Sequence, residues 1–406
     1  MKLQDLEVIV TAPPAPGWGG RYWILVKLTT DTGIVGWGEC YAASVGPQAM
    51  RAVIEDVFAR HMQGENPENI ELMYRRAYSS GFTQRPDLTV MGAFSGLEIA
   101  CWDILGKDRD RPVYALIGGR MNERVRGYTY LYPLPHHDMT AFWTSPEMAA
   151  ESALDCVARG YTAIKFDPAG PYTLRGGHMP AMTDISQSVA FCKAIRAAVG
   201  DKADLLFGTH GQFTTAGAIR LGNAIAPYSP LWYEEPIPPD AVEQMAAVAR
   251  AVPIPVATGE RLTTKAEFAP LLRAGAAEIL QPALGRVGGI AEAKKIAAMA
   301  EVYNAQRRFA DAAEASAEAI RLSGAVAGGN SATAVFDQGL IFWNLGNLDD
   351  ARQQFERTLA LDPEHGEAHY WLGMANLNAG QVAEAAAEFT LYLDREPDGR
   401  FAEQAG

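Results

Sequence analysis

The sequence predicts an α/β protein in three parts: an N-terminal α+β cap, an incomplete TIM-type (β/α) barrel of about six strands, and an all-α solenoid of repeats. Three observations predict it. In the middle of the chain, six short apolar runs that each end in polar residues alternate with helical stretches, and repeated βα units indicate parallel strands in a barrel or an open sheet. The residues before about 120 read instead as a strand hairpin followed by helices. Beyond residue 298 lysine disappears and only Pro363 and Pro397 of the 24 prolines remain, the usage of a chain that is helical throughout.

The elements follow in order. Residues 1–120 form the cap, whose hairpin RYWILVKLTTDTGIVGWGEC (21–40) turns at Asp31 to Gly33. The GxG inside it lacks the strand-to-helix context of a dinucleotide site. Residues 121–298 form the partial barrel, with strands in RVRGYTYLYP (125–134), TAIKFDP (162–168), ADLLFGTH (203–210), LWYEEP (231–236), PVATGE (255–260) and EILQP (278–282). Helical patterns such as MAAESALDCVARG, SVAFCKAIRAAVG, TAGAIRLGNAIAP and AVEQMAAVARAV separate them, many stopped by Gly or Pro. Residues 299–397 hold about three repeats, and 398–406 are a tail.

Composition bounds the function. A chain of 406 residues with 48% apolar and 20% charged residues is a folded protein of two or three domains. Its 35 Lys and Arg against 48 Asp and Glu give a formal charge of −13, which excludes nucleic acid or an anionic membrane as the main partner and leaves a small ligand or a protein. Residues 299–406 carry seven Arg and 17 acidic residues, so most of that charge lies in the repeats. Cys40, Cys101, Cys156 and Cys192 are scattered without a CxxC pair, the pattern of reduced structural thiols. The start MKLQDLEV has no uninterrupted apolar core behind a basic end, and no run of about 18 apolar residues is evident, so a cytoplasmic protein is expected.

The C-terminal region repeats at one interval. Gly339 and Gly373, Gly346 and Gly380, Ala351 and Ala385, Phe355 and Phe389, Leu359 and Leu393, and Pro363 and Pro397 are each 34 residues apart. Small residues at 339 and 351 let two helices approach, Phe355 fills the groove between them, and Pro363 ends the second helix. This pattern resembles the tetratricopeptide repeat. A third copy is expected upstream, where Tyr303, Phe309, Ala312 and Leu322 match Phe342, Leu348, Ala351 and Leu361 once a five-residue insertion near Gly328 and Gly329 is allowed.

In a barrel of this kind chemistry sits at the C-terminal ends of the strands. Lys165 and Asp167 lie two apart on one strand and share a face; His210 ends the next, Glu234 follows Trp232 on the third, and Glu260 closes the fourth. Two carboxylates and an imidazole are a ligand set for a divalent ion, with water or substrate oxygens completing the octahedral shell that magnesium prefers. Lys165 beside them is a candidate base. A buried lattice of ion pairs is the alternative. His136 and His137 read as solvated loop residues, Gly17 to Gly20 as a turn, and His178 lies in the Gly-rich stretch PAGPYTLRGGHMPAMTD after Lys165.

Residues 1–298 resemble the enolase superfamily, and within it the mandelate racemase-like acid-sugar dehydratases. The motifs are SGLEIACWDILGK (95–107) with PVYALIGG (112–119), WYEEP (232–236), TGERL (258–262) and QPALGRVGGI (281–290). The resemblance implies a cap over the barrel mouth, a bound magnesium ion, removal of the proton α to a substrate carboxylate, and an enediolate stabilised by that ion. It further implies Glu234 and Glu260 as the second and third metal ligands and Lys165 as the first lysine of a KxK base motif. His210 matches a position that serves as an acid in galactonate dehydratase-like members.

The chain also departs from the family. The first metal-binding aspartate falls on Gly208, leaving His210 as the nearest substitute ligand; the second lysine of KxK is Asp167; and the aspartate that orients a histidine base is Ala283. One-base dehydration, with Lys165 taking the proton and His210 assisting the leaving hydroxyl, is the chemistry left. Two further barrel strands are missing, since the helix AEAKKIAAMAE runs directly into the repeats. The readings are therefore a magnesium-dependent acid-sugar dehydratase, its activity either kept or lost with those strands, a non-catalytic module whose repeats bind a protein or peptide on a barrel remnant, or two reading frames joined near residue 299. An acid-sugar carboxylate is the expected substrate, and a homo-oligomer the expected assembly where gapped edges are covered.

Overall fold

The computed structural model describes residues 1–14, 17, 20–41, 44–170, 177–305, 332–344 and 346–406. The chain divides into two compact units, residues 1–299 and 300–406.

The first unit opens with an antiparallel sheet of β1 (Leu3–Thr11), β2 (Trp23–Thr30) and β3 (Val35–Cys40) in that order. Leu28 pairs with Gly36 and Ile24 with Cys40, so the hairpin closes at the predicted turn. Helices α1 (Pro47–His61), α2 (Ile70–Tyr78) and α3 (Leu88–Asp108) complete the cap, followed by the short α4 (Val113–Leu116). By length and composition α3 is apolar enough to cross a membrane, although Glu98 and Asp103 interrupt its apolar run. Its residues are instead the centre of the cap core, with Phe94, Leu97, Ala100, Cys101 and Ile104 fully buried. The GxG of β3 has a packing role: a Cβ on Gly36 would overlap the carbonyl oxygen of Ala100, and one on Gly38 that of Gly96. Strand and helix backbones meet there at a distance only glycine permits.

The six predicted strands all form, as β4 (Thr129–Tyr130), β5 (Ala163–Phe166), β6 (Asp204–Gly208), β7 (Trp232–Glu234), β8 (Val256–Thr258) and β9 (Ile279–Leu280). They make one parallel sheet ordered β4-β5-β6-β7-β8-β9. Among the described residues β4 and β9 do not pair, so the sheet is open and no closed barrel forms. β4 is shorter than the run 125–134, and on its C-terminal side Pro133 cannot donate to a ladder.

Period-2 alternation sorts the strands onto two faces. Ile164, Phe166, Leu205, Phe207, Tyr233 and Val256 join a large core beneath α5 (Pro146–Ala158), α6 (Met182–Val199), α7 (Thr215–Ile225), α8 (Val242–Ala251) and α9 (Thr264–Ala274). The opposite face begins with an apolar layer of Ala163, Leu206, Trp232, Ala257 and Ile279. All four cysteines are buried and unpaired.

Cap and sheet are clamped by two residues of α3. Ser95 Oγ accepts from the backbone N–H of Gly288 at 2.9 Å. The Glu98 carboxylate accepts from the N–H groups of Ile290 and Ala291 at 2.8 and 2.9 Å and from Trp102 Nε1 at 2.7 Å. It thereby caps helix α10, which begins at residue 290 and is described through 305, by accepting from N–H groups that the helix itself leaves without a partner.

The second unit contains α11 (Ala332–Asn344), α12 (Leu348–Leu361), α13 (Gly366–Asn378), α14 (Val382–Arg395) and the terminal α15 (Ala402–Ala405). The first pair maps onto the second with both ends displaced by the predicted 34 residues. A Cβ on Gly339 would lie 2.5 Å from Phe355 Cε1, and one on Gly373 would lie 2.6 Å from Phe389 Cε1, so each glycine receives the ring of its partner helix. Phe309, Ala312 and Leu322 of the upstream copy, and the Gly328–Gly329 insertion, lie outside the described residues.

The Glu98 clamp yields a pH signature. Burial pushes its carboxyl from near 4.5 up to about 7, opposed by the N–H groups of Ala291 and Ile290, Trp102 and the charge of Lys295. A raised carboxyl binds its proton more tightly folded than unfolded, so its contribution is full below about pH 4.5 and is lost as pH rises through about 7. Glu98→Gln removes this component, so in paired thermal melts the wild type loses ground to the variant between about pH 5 and about pH 7.5. Glu98→Ala, which strands two helix N–H donors, lowers stability by about 2–3 kcal/mol in denaturant titrations at either pH.

Candidate functional site

Above the apolar layer the same strand face turns polar. Lys165 and Asp167 on and just after β5, Gly208 at the end of β6, Glu234 at the end of β7 and Gln281 just after β9 follow the inward alternation set by Ala163, Leu206, Trp232 and Ile279. Lys165 and Glu234 are both buried and form a direct ion pair through Nζ and Oε1. The other Glu234 oxygen accepts from Gln281 Nε2 at 2.9 Å. Burial opposes the charge on Lys165, but Glu234 and Asp167 together outweigh it and hold the amine above the ordinary lysine range. Tyr130 OH donates to Asp167 Oδ2 at 2.8 Å, and His210 Nδ1 stands 3.5 Å from the same oxygen. Asp167 Oδ1 is buried with no hydrogen-bond partner.

The rim is built on strained backbone. His210 and Glu235 adopt positive φ values of 54° and 42°, in the left-handed region that side chains disfavour. Cross-strand bonds hold them: Gly211 N–H donates to the Glu235 carbonyl at 2.6 Å, and Thr209 Oγ1 donates to the carbonyls of Glu234 and Glu235 at 2.9 and 2.7 Å. Such strain marks positions that the surrounding structure over-determines, and it concentrates at functional sites. Glu235 is fully buried, and burial, helped by Glu260 and Glu234 and opposed by Arg261, pushes its carboxyl up to about 8. Arg261 Nε lies 3.1 Å from Glu235 and 3.9 Å from Glu260. Arg286 donates to the Glu260 carbonyl and stacks its guanidinium 4.1 Å from the Tyr41 ring centroid, tying the rim to the cap.

The expected ligand trio does not gather. Among the described residues the group of His, Cys, Asp or Glu donors within 4.8 Å of one another is His136, His137 and Glu151, not His210, Glu234 and Glu260. Glu234 is engaged by Lys165 and Gln281, Glu260 stands a third exposed beside Arg261, and His210 faces Asp167. The His136 and His137 loop is tied down by Glu151, 2.9 Å from Nε2 of each ring. The Leu134 N–H donates to His137 Nδ1 at 3.2 Å, which leaves the proton of a neutral ring on Nε2, facing Glu151. In that tautomer His137 donates to Glu151 through Nε2. His178 forms a parallel bridge with Phe213, while residues 171–176 of its loop are outside the described residues.

Three neighbours escaped the sequence reading: Tyr130, Gln281 and the buried Glu235. The strand-end rule that selected Lys165 and Glu234 also points to Tyr130 on β4 and Gln281 after β9. Glu235 carried no such signal, because alternation predicts it on the helix-covered face.

The geometry defines a cap-and-parallel-sheet protein with a charged cluster at its strand ends. Residues 18–118 match the family model for the mandelate racemase / muconate lactonizing enzyme N-terminal domain, residues 148–333 that for the enolase C-terminal domain-like fold, and residues 336–400 that for the tetratricopeptide repeat. The chain belongs to the mandelate racemase/muconate lactonizing enzyme family of the enolase superfamily and carries tetratricopeptide repeats at its C-terminal end. It is 98% identical to a mandelate racemase/muconate lactonizing enzyme of known crystal structure from Sulfitobacter sp, with a TM-score of 0.74 over 75% of this chain and 77% of that one. It is 34% identical over 305 residues to the D-gluconate/D-galactonate dehydratase of Picrophilus torridus, covering 73% of this chain and 74% of that protein. It is 33% identical to the D-galactonate dehydratase of Ralstonia nicotianae, over 70% and 69% of the two chains.

The buried ion pair is testable by itself. Lys165→Met leaves Glu234 charged and half-satisfied, and urea titration should show a loss of about 3–5 kcal/mol. Adding Glu234→Gln should restore most of it, giving strong coupling in the double-mutant cycle.

Proposed function

We propose that residues 1–299 form a magnesium-binding acid-sugar site of the dehydratase type in which ligand binding has outlasted turnover, and that the repeats form a peptide-binding module. The observation that supports it best is the gathering of buried Lys165 and Glu234 with half-buried Asp167 and Gln281 on the inward strand face. The carboxylates fit a hard divalent cation: Asp167 Oδ1 is buried without a hydrogen-bond donor, a state that costs free energy unless a cation or water satisfies it. Glu234 and Glu260 are the residues that would hold the ion, as the family resemblance assigns them.

A bound magnesium ion would supply positive charge against the negative charge that develops on a carboxylate substrate as its α-proton leaves. Lys165 is the group placed to move that proton, and His210, at the rim and partly exposed, is placed to protonate a departing hydroxyl. In this structure the Lys165 amine is spent as the counter-ion of Glu234, and a base needs that amine neutral. Among the described residues the open edges at β4 and β9 leave the far side of the site without a strand to position substrate, and catalysis tolerates displacements of only fractions of an ångström. Buried, unpaired thiols at all four cysteines fit the reducing cytoplasm.

Calorimetric titration with magnesium should give heat for the full-length protein and none for Glu234→Gln. Incubation with D-galactonate or D-gluconate and magnesium should yield no keto acid above an enzyme-free blank. Keto acid that forms with the wild type and vanishes with Lys165→Ala would contradict the loss of turnover.

A second reading has its own support. Identity of 98% over three quarters of each chain, beside repeats that match an unrelated family model, favours a chain joined from two genes within the helix that spans residue 299. Genomic DNA read across the codons for Met299 to Arg308 should be continuous if the fusion is natural, and a break there would establish the join as artificial.

A further inference from the structure

We propose that Asp167 is a cation ligand of this site, supplying from β5 the carboxylate that β6 lacks at Gly208. The inference rests on the magnesium-site reading above and specifies its ligand set.

The two departures from the family pattern, at 167 and at 208, occupy one place in the structure. β5 and β6 pair in parallel with Lys165 beside Leu206 and Phe166 beside Phe207, so Asp167 and Gly208 come next, abreast, on the inward face. A Cβ built on Gly208 would overlap Asp167 Oδ1 and would lie 2.8 Å from its Cγ and 3.2 Å from Lys165 Cε. The carboxylate of one strand thus fills the volume where a side chain of the next would begin. There is room for an acidic group from residue 167 or from residue 208, and not from both.

The two oxygens of Asp167 are in different situations. Oδ2 accepts from Tyr130 OH at 2.8 Å and faces His210 Nδ1 at 3.5 Å, which fixes the plane of the group. Oδ1 is buried with no donor, on the side toward Gly208 and the Lys165–Glu234 pair. An oriented carboxylate with one satisfied and one vacant oxygen is how an outer-shell partner presents a ligand to a cation. The same contact gives His210 another part: it positions Asp167 instead of ligating, in keeping with the preference of magnesium for oxygen over imidazole.

The test is magnesium calorimetry on the full-length protein with three variants, Asp167→Asn, Glu234→Gln and the exchange variant Asp167→Gly with Gly208→Asp. Asp167→Asn keeps the shape of the residue, and a cooperative metal-free thermal melt of the variant separates ligand loss from misfolding. The expected result is at least roughly tenfold weaker magnesium binding in Asp167→Asn, with affinity recovered in the exchange variant, where the carboxylate returns to β6. Wild-type affinity in Asp167→Asn, with binding abolished in Glu234→Gln, would overturn the assignment of Asp167 and leave the magnesium site standing. Absence of magnesium heat in the wild type would overturn the site and this ligand with it.

Discussion

A parallel strand offers the same face only every second residue, and this alternation carries the charged site. Ala163, Leu206, Trp232, Ala257 and Ile279 make a dry floor; one step further along the strands come Lys165, Gly208, Glu234 and Gln281. Slipping any strand by one residue would send its polar group into the helix-covered core and an apolar side chain into the cluster. The floor also excludes water from below, so the Lys165–Glu234 pair works at a low local dielectric where charges govern one another strongly. Everything chemical that the site offers depends on that register.

The second constraint is the attachment of the cap. Ser95 and Glu98 reach from the central cap helix to the backbone of Gly288, Ile290 and Ala291, and Tyr41 stacks on Arg286 at the rim. A buried carboxylate that caps the helix following β9 binds the last sheet strand to the cap, where a closed barrel would bind it to further strands.

Much of the fold was legible from local signals. Short apolar runs ending in polar residues located all six parallel strands, and the 34-residue interval located both helix pairs, because alternation and fixed repeats survive in a single sequence. The site was legible only in part. Lys165, Glu234, Glu260 and His210 were found as strand-end groups, but their mutual distances depend on pairing and on turns such as the left-handed backbone at His210 and Glu235. Gly208 read as a lost ligand because the sequence does not show which neighbour fills a glycine's space. The structure shows that neighbour to be Asp167, a residue that in sequence read as a strand-end charge beside Lys165 and as a missing lysine.

The central claim is that the inward carboxylates at these strand ends hold a divalent cation. The most direct measurement is the anomalous diffraction of crystals of the full-length protein soaked in manganese, an ion of the same oxygen preference as magnesium. One strong manganese peak is expected within bonding distance of Asp167, Glu234 and Glu260, with Lys165 displaced from Glu234. A peak at His136, His137 and Glu151 instead, or none at the strand ends, would contradict it.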